Sequence, residues 1–411
     1  VSDVESVEEF RARARAWIRA NLKPVGKVAL TLRNRPDEEE LAGVARDREL
    51  QRMFFDAGIA GVCVPQAYGG QGLTPAHQRA LNEELAGFEY PLRLNAPTMT
   101  PCMAVLLDFG TEEQKQRHVP AILKGEEIWM QFLSEPSGGS DVAGALTTAV
   151  LDGEEWVLNG SKVWTTGAWW SDWGLVLART NWDVPKHRGL TVFMMPINAP
   201  GIEVHRIEML NGNREFCQEF LSDVRVPDAD RIGEVDDGWT VGTRWMFHER
   251  MLYNSPYVTV PAGTPRGTDS SGSTVDLARA AGLLDDAKAR DLIGEAQVLE
   301  LVGDALKRRV NHGITAGVLS DQSAAMVRLF TGLATARRTT IGFELAGSSG
   351  AAWEDGEVLG NAGDDFLMRQ VSCIGGGTTE MARNVIAERV LGMPRERTLD
   401  RDVPFRDVPR N

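Results

Sequence analysis

Four short segments carry the residue types that could do chemistry. The run Phe132-Leu133-Ser134-Glu135-Pro136-Ser137-Gly138-Gly139-Ser140-Asp141 sets small hydroxyls and flexible backbone directly after a β-type stretch. Main-chain N–H groups in such a run can face a conjugated ring or a phosphate. Lys162-Val163-Trp164-Thr165-Thr166-Gly167 puts an indole and two hydroxyls on a strand after Asn159-Gly160, which reads as a hairpin turn. In Trp245-Met246-Phe247-His248-Glu249-Arg250-Met251-Leu252, helical spacing places Val241, Trp245, Leu252 and Tyr253 on one face with Glu249. A carboxylate in an apolar stripe is poorly solvated, which raises its pKa towards that of a useful proton acceptor. Finally, Gly375-Gly376-Gly377-Thr378-Thr379-Glu380-Met381-Ala382-Arg383-Asn384 joins a glycine run to the start of a helix. Taken singly, these segments also fit a surface loop, a core strand, a helix pinned by a Glu–Arg pair, and a glycine hinge.

The elements that must position them follow a simple order. Ser6-Val7-Glu8-Glu9 reads as a capping box ahead of Phe10, Ala14, Trp17 and Ile18 on one helical face. Leu50, Met53, Phe54 and Ala57 form a second stripe stopped by Gly58, and Thr74-Pro75 opens a third helix. Thr111-Glu112-Glu113-Gln114 caps a fourth that ends near Lys124-Gly125. Short β-type runs follow: Ile128 to Leu133, Trp156 to Leu158, Val163 to Thr165, Leu175 to Ala178, Leu190 to Met195 and Phe216 to Val226. From Gly238 onward helical periodicity returns, broken by a Pro/Gly/Ser-rich loop from Pro261 to Ser273.

The order helical, β, helical, together with the four segments, resembles the acyl-CoA dehydrogenase family over nearly the whole chain. The resemblance implies an α+β architecture: an N-terminal helical domain (1–127), a middle β-domain (128–236) and a C-terminal four-helix bundle (237–411). It also implies an FAD cofactor and an acyl-CoA substrate, dehydrogenated to a trans-2-enoyl-CoA. The electrons would pass to an electron-transferring flavoprotein, and the assembly would be a homotetramer or a hetero-oligomer with a homologue. By the same resemblance Leu133, Ser134, Trp164, Thr166, Gly377, Thr378 and Glu380 contact the flavin. Ser140 touches the CoA pyrophosphate region, and Arg250 lies close to the CoA portion or pairs with Glu249.

Three departures bear on the chemistry. Many members carry a glutamate base just before the Gly-Thr of the C-terminal loop, where this chain has Gly376. Other members place the base on a helix at the start of the C-terminal domain, in a Glu-Arg pair, and Glu249-Arg250 stands at the matching place. Glu249 is therefore the expected base, with the N–H of Gly376 free to bind the thioester oxygen. Where the family has a glutamine helping to hold the adenine half of FAD, this chain has Glu344, which suits a ribose hydrogen bond better than a phosphate contact. Arg290-Asp291-Leu292-Ile293-Gly294 matches the pyrophosphate clamp only in part, with Leu301 where a glutamine is usual. A base-less chain would instead be a catalytically silent partner subunit, and a flavin reoxidised by oxygen would make an acyl-CoA oxidase.

Composition narrows the field. The chain has 411 residues, 43% hydrophobic and 25% charged, with a formal net charge of -14. That is the balance of a soluble globular protein of two or three domains, and it argues against a nucleic-acid partner. Cys63, Cys102, Cys217 and Cys373 are scattered without metal-ligand spacing and read as reduced, buried thiols in a cytoplasmic protein. Six histidines form no paired constellation, so no metal is expected. Neither a signal peptide nor a membrane-spanning run is expected.

Overall fold

The computed structural model describes residues 5–25, 36–251, 255–262, 273–353, 358–398 and 400–409. The N-terminal domain is built from α1 (Val7–Asn21), α2 (Asp37–Asp56), α3 (Pro75–Glu84), α4 (Ala104–Phe109) and α5 (Glu112–Leu123). Its helix starts are those expected from local chemistry. Ser6 and Glu9 close a reciprocal capping box, Thr111 and Gln114 close another, and Pro75 occupies the first turn of α3. Phe10, Ala14, Ile18, Leu50, Phe54 and Leu81 share one core. Arg93 is buried between Glu40 and Asp47 of α2, at 2.9 and 3.2 Å, and ties that helix to the Leu94–Met103 segment.

The middle domain is one eight-stranded sheet: β1 (Trp129–Phe132), β2 (Thr148–Asp152), β3 (Glu155–Thr166), β4 (Trp173–Arg179), β5 (Leu190–Pro196), β6 (Ile202–Arg206), β7 (Phe216–Pro227) and β8 (Arg231–Ile232). The order is β6-β7-β3-β2-β4-β5-β8, with β1 paired in parallel to β4. Alternate residues of β4 enter two different cores. Leu175 and Leu177 join the helices and Trp245, while Val176 and Ala178 join Phe132, Trp156 and Phe193.

Two expectations about this sheet need correcting. Trp156–Leu158 and Val163–Thr165 are not separate strands but parts of the single strand β3. Asn159-Gly160 is accordingly no hairpin turn but an irregularity within that strand, where the register against β7 shifts between Leu158 and Gly160. The turn lies earlier, at Gly153-Glu154 between Asp152 and Glu155. Glycine is required at 160 for another reason: a Cβ there would stand 2.6 Å from the Thr147 hydroxyl and 2.7 Å from its Cα.

The C-terminal helices are α6 (Gly238–Arg250), α7 (Thr274–Ala280), α8 (Ala287–Thr315), α9 (Ala324–Ala346), α10 (Ser348–Ala351), α11 (Val358–Met368), α12 (Val371–Ile374) and α13 (Thr379–Val385). Helix α9 is the hub, packing against α8, α11, α12 and α13. Most of the expected Pro/Gly/Ser-rich loop, residues 263–272, lies outside the described residues. Segment 400–409 returns to the middle domain. Phe405 lies under the buried Arg179 guanidinium, 3.8 Å from its ring centroid. The Phe405 N–H donates to Val184 O at 2.9 Å, and Lys186 pairs with Asp400 at 3.0 Å. All four cysteines are free, but only Cys102 and Cys217 are buried, whereas Cys63 and Cys373 are partly exposed. No described helix is long and apolar enough to cross a membrane.

Candidate active site

Helix α6 lies across the sheet, with Val241 and Trp245 buried. The indole N–H of Trp245 donates to Gln131 of β1 at 2.7 Å. On its other side Asp108 of α4 accepts from Arg244 Nε at 2.5 Å and pairs with His248 Nε2 at 2.8 Å. These contacts fix the roll of the helix and therefore the direction of Glu249. Glu249 is partly buried beside the Leu94–Met103 segment. Burial holds its carboxyl above the ordinary carboxylate range, and the Arg250 charge only partly offsets this. Its charge is felt in turn at the fully buried Cys102, whose thiol is pushed well up, mainly by burial. Leu252 and Tyr253, expected on the same apolar face, lie outside the described residues.

The glycine loop approaches this end of α6 through Arg328 of α9. Its guanidinium donates to Ser372 O and Gly375 O, both at 2.8 Å. Burial lowers its basicity, and the Arg250 charge lowers it further, so the two arginines are electrostatic neighbours. Gly376 and Gly377 then take φ of +71° and +98°, with nothing within 4 Å of where a Cβ would stand. Thr378 caps α13, its hydroxyl accepting from Met381 N–H at 3.0 Å. Glu380 is exposed and paired with Arg383 at 3.0 Å.

The two β-domain segments meet across one hydrogen bond, Val163 N–H to Ser134 O at 3.0 Å. Beneath them the Lys162 ammonium, wholly buried, donates to Glu135 at 2.8 Å, Leu177 O at 2.6 Å and Leu133 O at 3.3 Å. Burial works against both charges of this pair. The Glu135 carboxyl is still held below its usual range by Lys162 and by the N–H groups of Leu146 and Thr147. Neither Lys162 nor Glu135 carries an expected role in the sequence; the signal for them is an ionisable residue inside each of the two candidate flavin segments. Trp164 stands at φ +67°, an uncommon conformation for a bulky residue, and is 56% exposed, its ring centroid 5.8 Å from that of Phe216 in an edge-to-face arrangement. Thr166 is partly buried beside it, opposite Phe216.

The remaining candidates are more dispersed. Ser140 is exposed on the loop whose Asp141 pairs with Lys186 at 2.9 Å. Arg250 is exposed at the end of α6. Glu344 is exposed on α9 and bonded to Arg337 at 3.0 Å, which also grips Glu295 of α8 at 2.7 Å. That network links α8 to α9.

A helical domain, a central sheet domain and a C-terminal helical domain, in that order, make up an acyl-CoA dehydrogenase fold. The acyl-CoA dehydrogenase N-terminal domain matches residues 5–126, and the middle domain of that family matches residues 131–224. The acyl-CoA dehydrogenase IpdE1 of Mycobacterium tuberculosis is 34% identical over 399 residues, covering 96% of this chain and 99% of its own length. The IpdE1 of Mycolicibacterium smegmatis is 33% identical, covering 95% and 98%. Among solved structures, the Tcur3481-Tcur3483 steroid ACAD is similar at 26% identity and a TM-score of 0.71, covering 96% of this chain and 100% of that one. The chain belongs to the acyl-CoA dehydrogenase family, an oxidoreductase family of flavoproteins.

Proposed function

We propose that this protein is an FAD-dependent acyl-CoA dehydrogenase in which Glu249 removes the α-proton of the thioester. The observation that carries the reading is Glu249 itself: a carboxyl held above its usual range by burial at the end of α6, next to Arg250, whose charge reaches the Arg328 that grips Gly375 O. Such a group is more basic than an ordinary carboxylate and so better able to take a weakly acidic proton. The residues fit a flavin. An exposed indole is thrown out of the sheet at Trp164, and open backbone stands at Gly376 and Gly377. Leu133, Ser134, Trp164, Thr166, Gly377, Thr378 and Glu380 would hold it, with Glu344 toward the adenine half and Ser140 and Arg250 toward CoA. FAD, when bound, supplies the acceptor for the β-hydride. The N–H of Gly376 stabilises the charge that grows on the thioester oxygen as Glu249 takes the α-proton. The product is a trans-2-enoyl-CoA, and an electron-transferring flavoprotein takes the electrons onward.

Room beside the base points to a bulky acyl group. Gly242 lies on the same flank of α6, two turns before Glu249, and is buried, yet nothing stands within 4 Å of where its Cβ would be. Glycine inside a helix is unfavourable by about 1 kcal/mol relative to alanine, so a covered gap there favours a ring-bearing or branched substrate. The similar protein named a steroid ACAD supports that choice. Its name joins two chains, which favours a hetero-oligomer as a second arrangement. An anaerobic visible spectrum before and after straight, branched and ring-bearing acyl-CoAs tests the reading. Bleaching by ring-bearing thioesters supports it, and FAD that binds but bleaches only after a homologue is added assigns the silent-subunit role instead.

A further inference from the structure

One buried ionisable group has no part in the chemistry above. Glu219 of β7 is wholly buried, and its Oε2 accepts from the Thr165 hydroxyl at 2.9 Å. Its Oε1 is buried without a hydrogen-bond partner. Its cross-strand neighbour Lys162 is committed to Glu135 and two carbonyls, so the carboxyl is not there to satisfy that ammonium. Leaving a buried carboxyl half satisfied is costly, and an aliphatic side chain would avoid the cost.

The backbone next to it supplies a reason. Val163 pairs with Gln218 and Thr165 with Cys217, which leaves Trp164 as the extra residue of a β-bulge. The bulge turns Thr165 inward, where it is 2% exposed, and throws the Trp164 indole outward at φ +67°. A bulky residue keeps such a backbone only where its surroundings over-determine it. The hydroxyl next to the outlier is held by Glu219.

We propose that Glu219, acting through the Thr165 hydroxyl, is a positioning residue that fixes the bulge at Trp164 and so sets the indole against the flavin. This rests on the reading of Trp164 as a flavin-facing residue. Burial pushes the Glu219 carboxyl up to about 8 against the opposing Thr165 bond and Lys162 charge, so near neutral pH it is largely protonated. A glutamine, which keeps a carbonyl acceptor for the hydroxyl, therefore mimics the working state.

The test uses the FAD-loaded protein and reads FAD affinity and the circular dichroism of the flavin bands. Thr165→Val and Glu219→Val should each weaken FAD binding about tenfold and alter the flavin dichroism. The double variant should be no worse than either single one, and Glu219→Gln should behave as the parent. Flavin dichroism and affinity unchanged in Thr165→Val overturn the proposal. So does a Glu219→Gln that matches Glu219→Val, since that assigns Glu219 a charge-dependent structural role. Trp164→Ala separates the underlying premise: if it leaves the flavin signals unchanged, the indole does not face the flavin, and the positioning role falls with it. Thr165→Val is nearly isosteric, so the test holds even where Glu219→Val fails to fold.

Discussion

At the scale of single residues the base is the most exposed claim. Glu249→Gln should cut the rate of flavin reduction by at least about a hundredfold while FAD stays bound, as read by stopped-flow absorbance. In the parent protein that rate should climb as pH rises through a value above the ordinary carboxylate range and then level off, because only the ionised carboxyl accepts the proton. Normal turnover by the glutamine variant removes Glu249 from the mechanism. A second residue-scale expectation concerns stability. Glu219 titrates at about 8 in the fold against an ordinary 4.5. Between these values the unfolded chain has released the proton that the fold still holds, so stability falls as pH rises across that window. Glu219→Gln should therefore melt higher than the parent near pH 8 and alike near pH 4.5, by thermal denaturation. The partial burial of Glu249 was readable from its apolar helical neighbours, whereas its proposed role as base came from the family position it matches. Glu219 was not legible, because β-strand alternation marks a position as inward without saying what a carboxyl there would meet.

At the scale of elements, α6 is only as useful as its roll about its own axis. Trp245 fixes one side through Gln131, and Asp108 fixes the other through Arg244 and His248. Asp108→Ala removes the acceptor of two cationic or polar donors, a loss of about 1.5–3 kcal/mol for hydrogen bonds to a charged group. It should lower Tm and the reduction rate together while leaving FAD affinity near the parent value, as measured by calorimetry and flavin titration. Helix starts were readable because caps are local: Ser6, Thr74 and Thr111 each declare their helix within three residues. The long strand β3 was misread at Asn159-Gly160 because the need for glycine there comes from Thr147, which is distant in the chain. Strands β2, β6 and β8 were passed over, being short, partly exposed or only two residues long.

At the scale of the molecule, α8 leaves Val298, Leu301 and Val302 exposed at 57%, 60% and 46% on one stretch of helix. A run of this kind on a bundle is suited to a subunit contact. Val298→Asp should reduce the assembly size measured by light scattering, and an unchanged mass would place the contact elsewhere. The three-part order of the chain was visible in its periodicities, whereas the return of residues 400–409 to the middle domain was not. Nothing local in Pro404-Phe405-Arg406 announces a partner more than two hundred positions earlier. That return has a kinetic meaning. The contact between Lys186 and Asp400 spans 214 positions, and closing so long a loop gains nothing until the intervening helices have assembled. The tail therefore docks late in folding. Once docked, it works as a latch, and peeling the bundle from that side must begin by prying a phenyl ring from beneath a guanidinium that is itself sealed in the sheet.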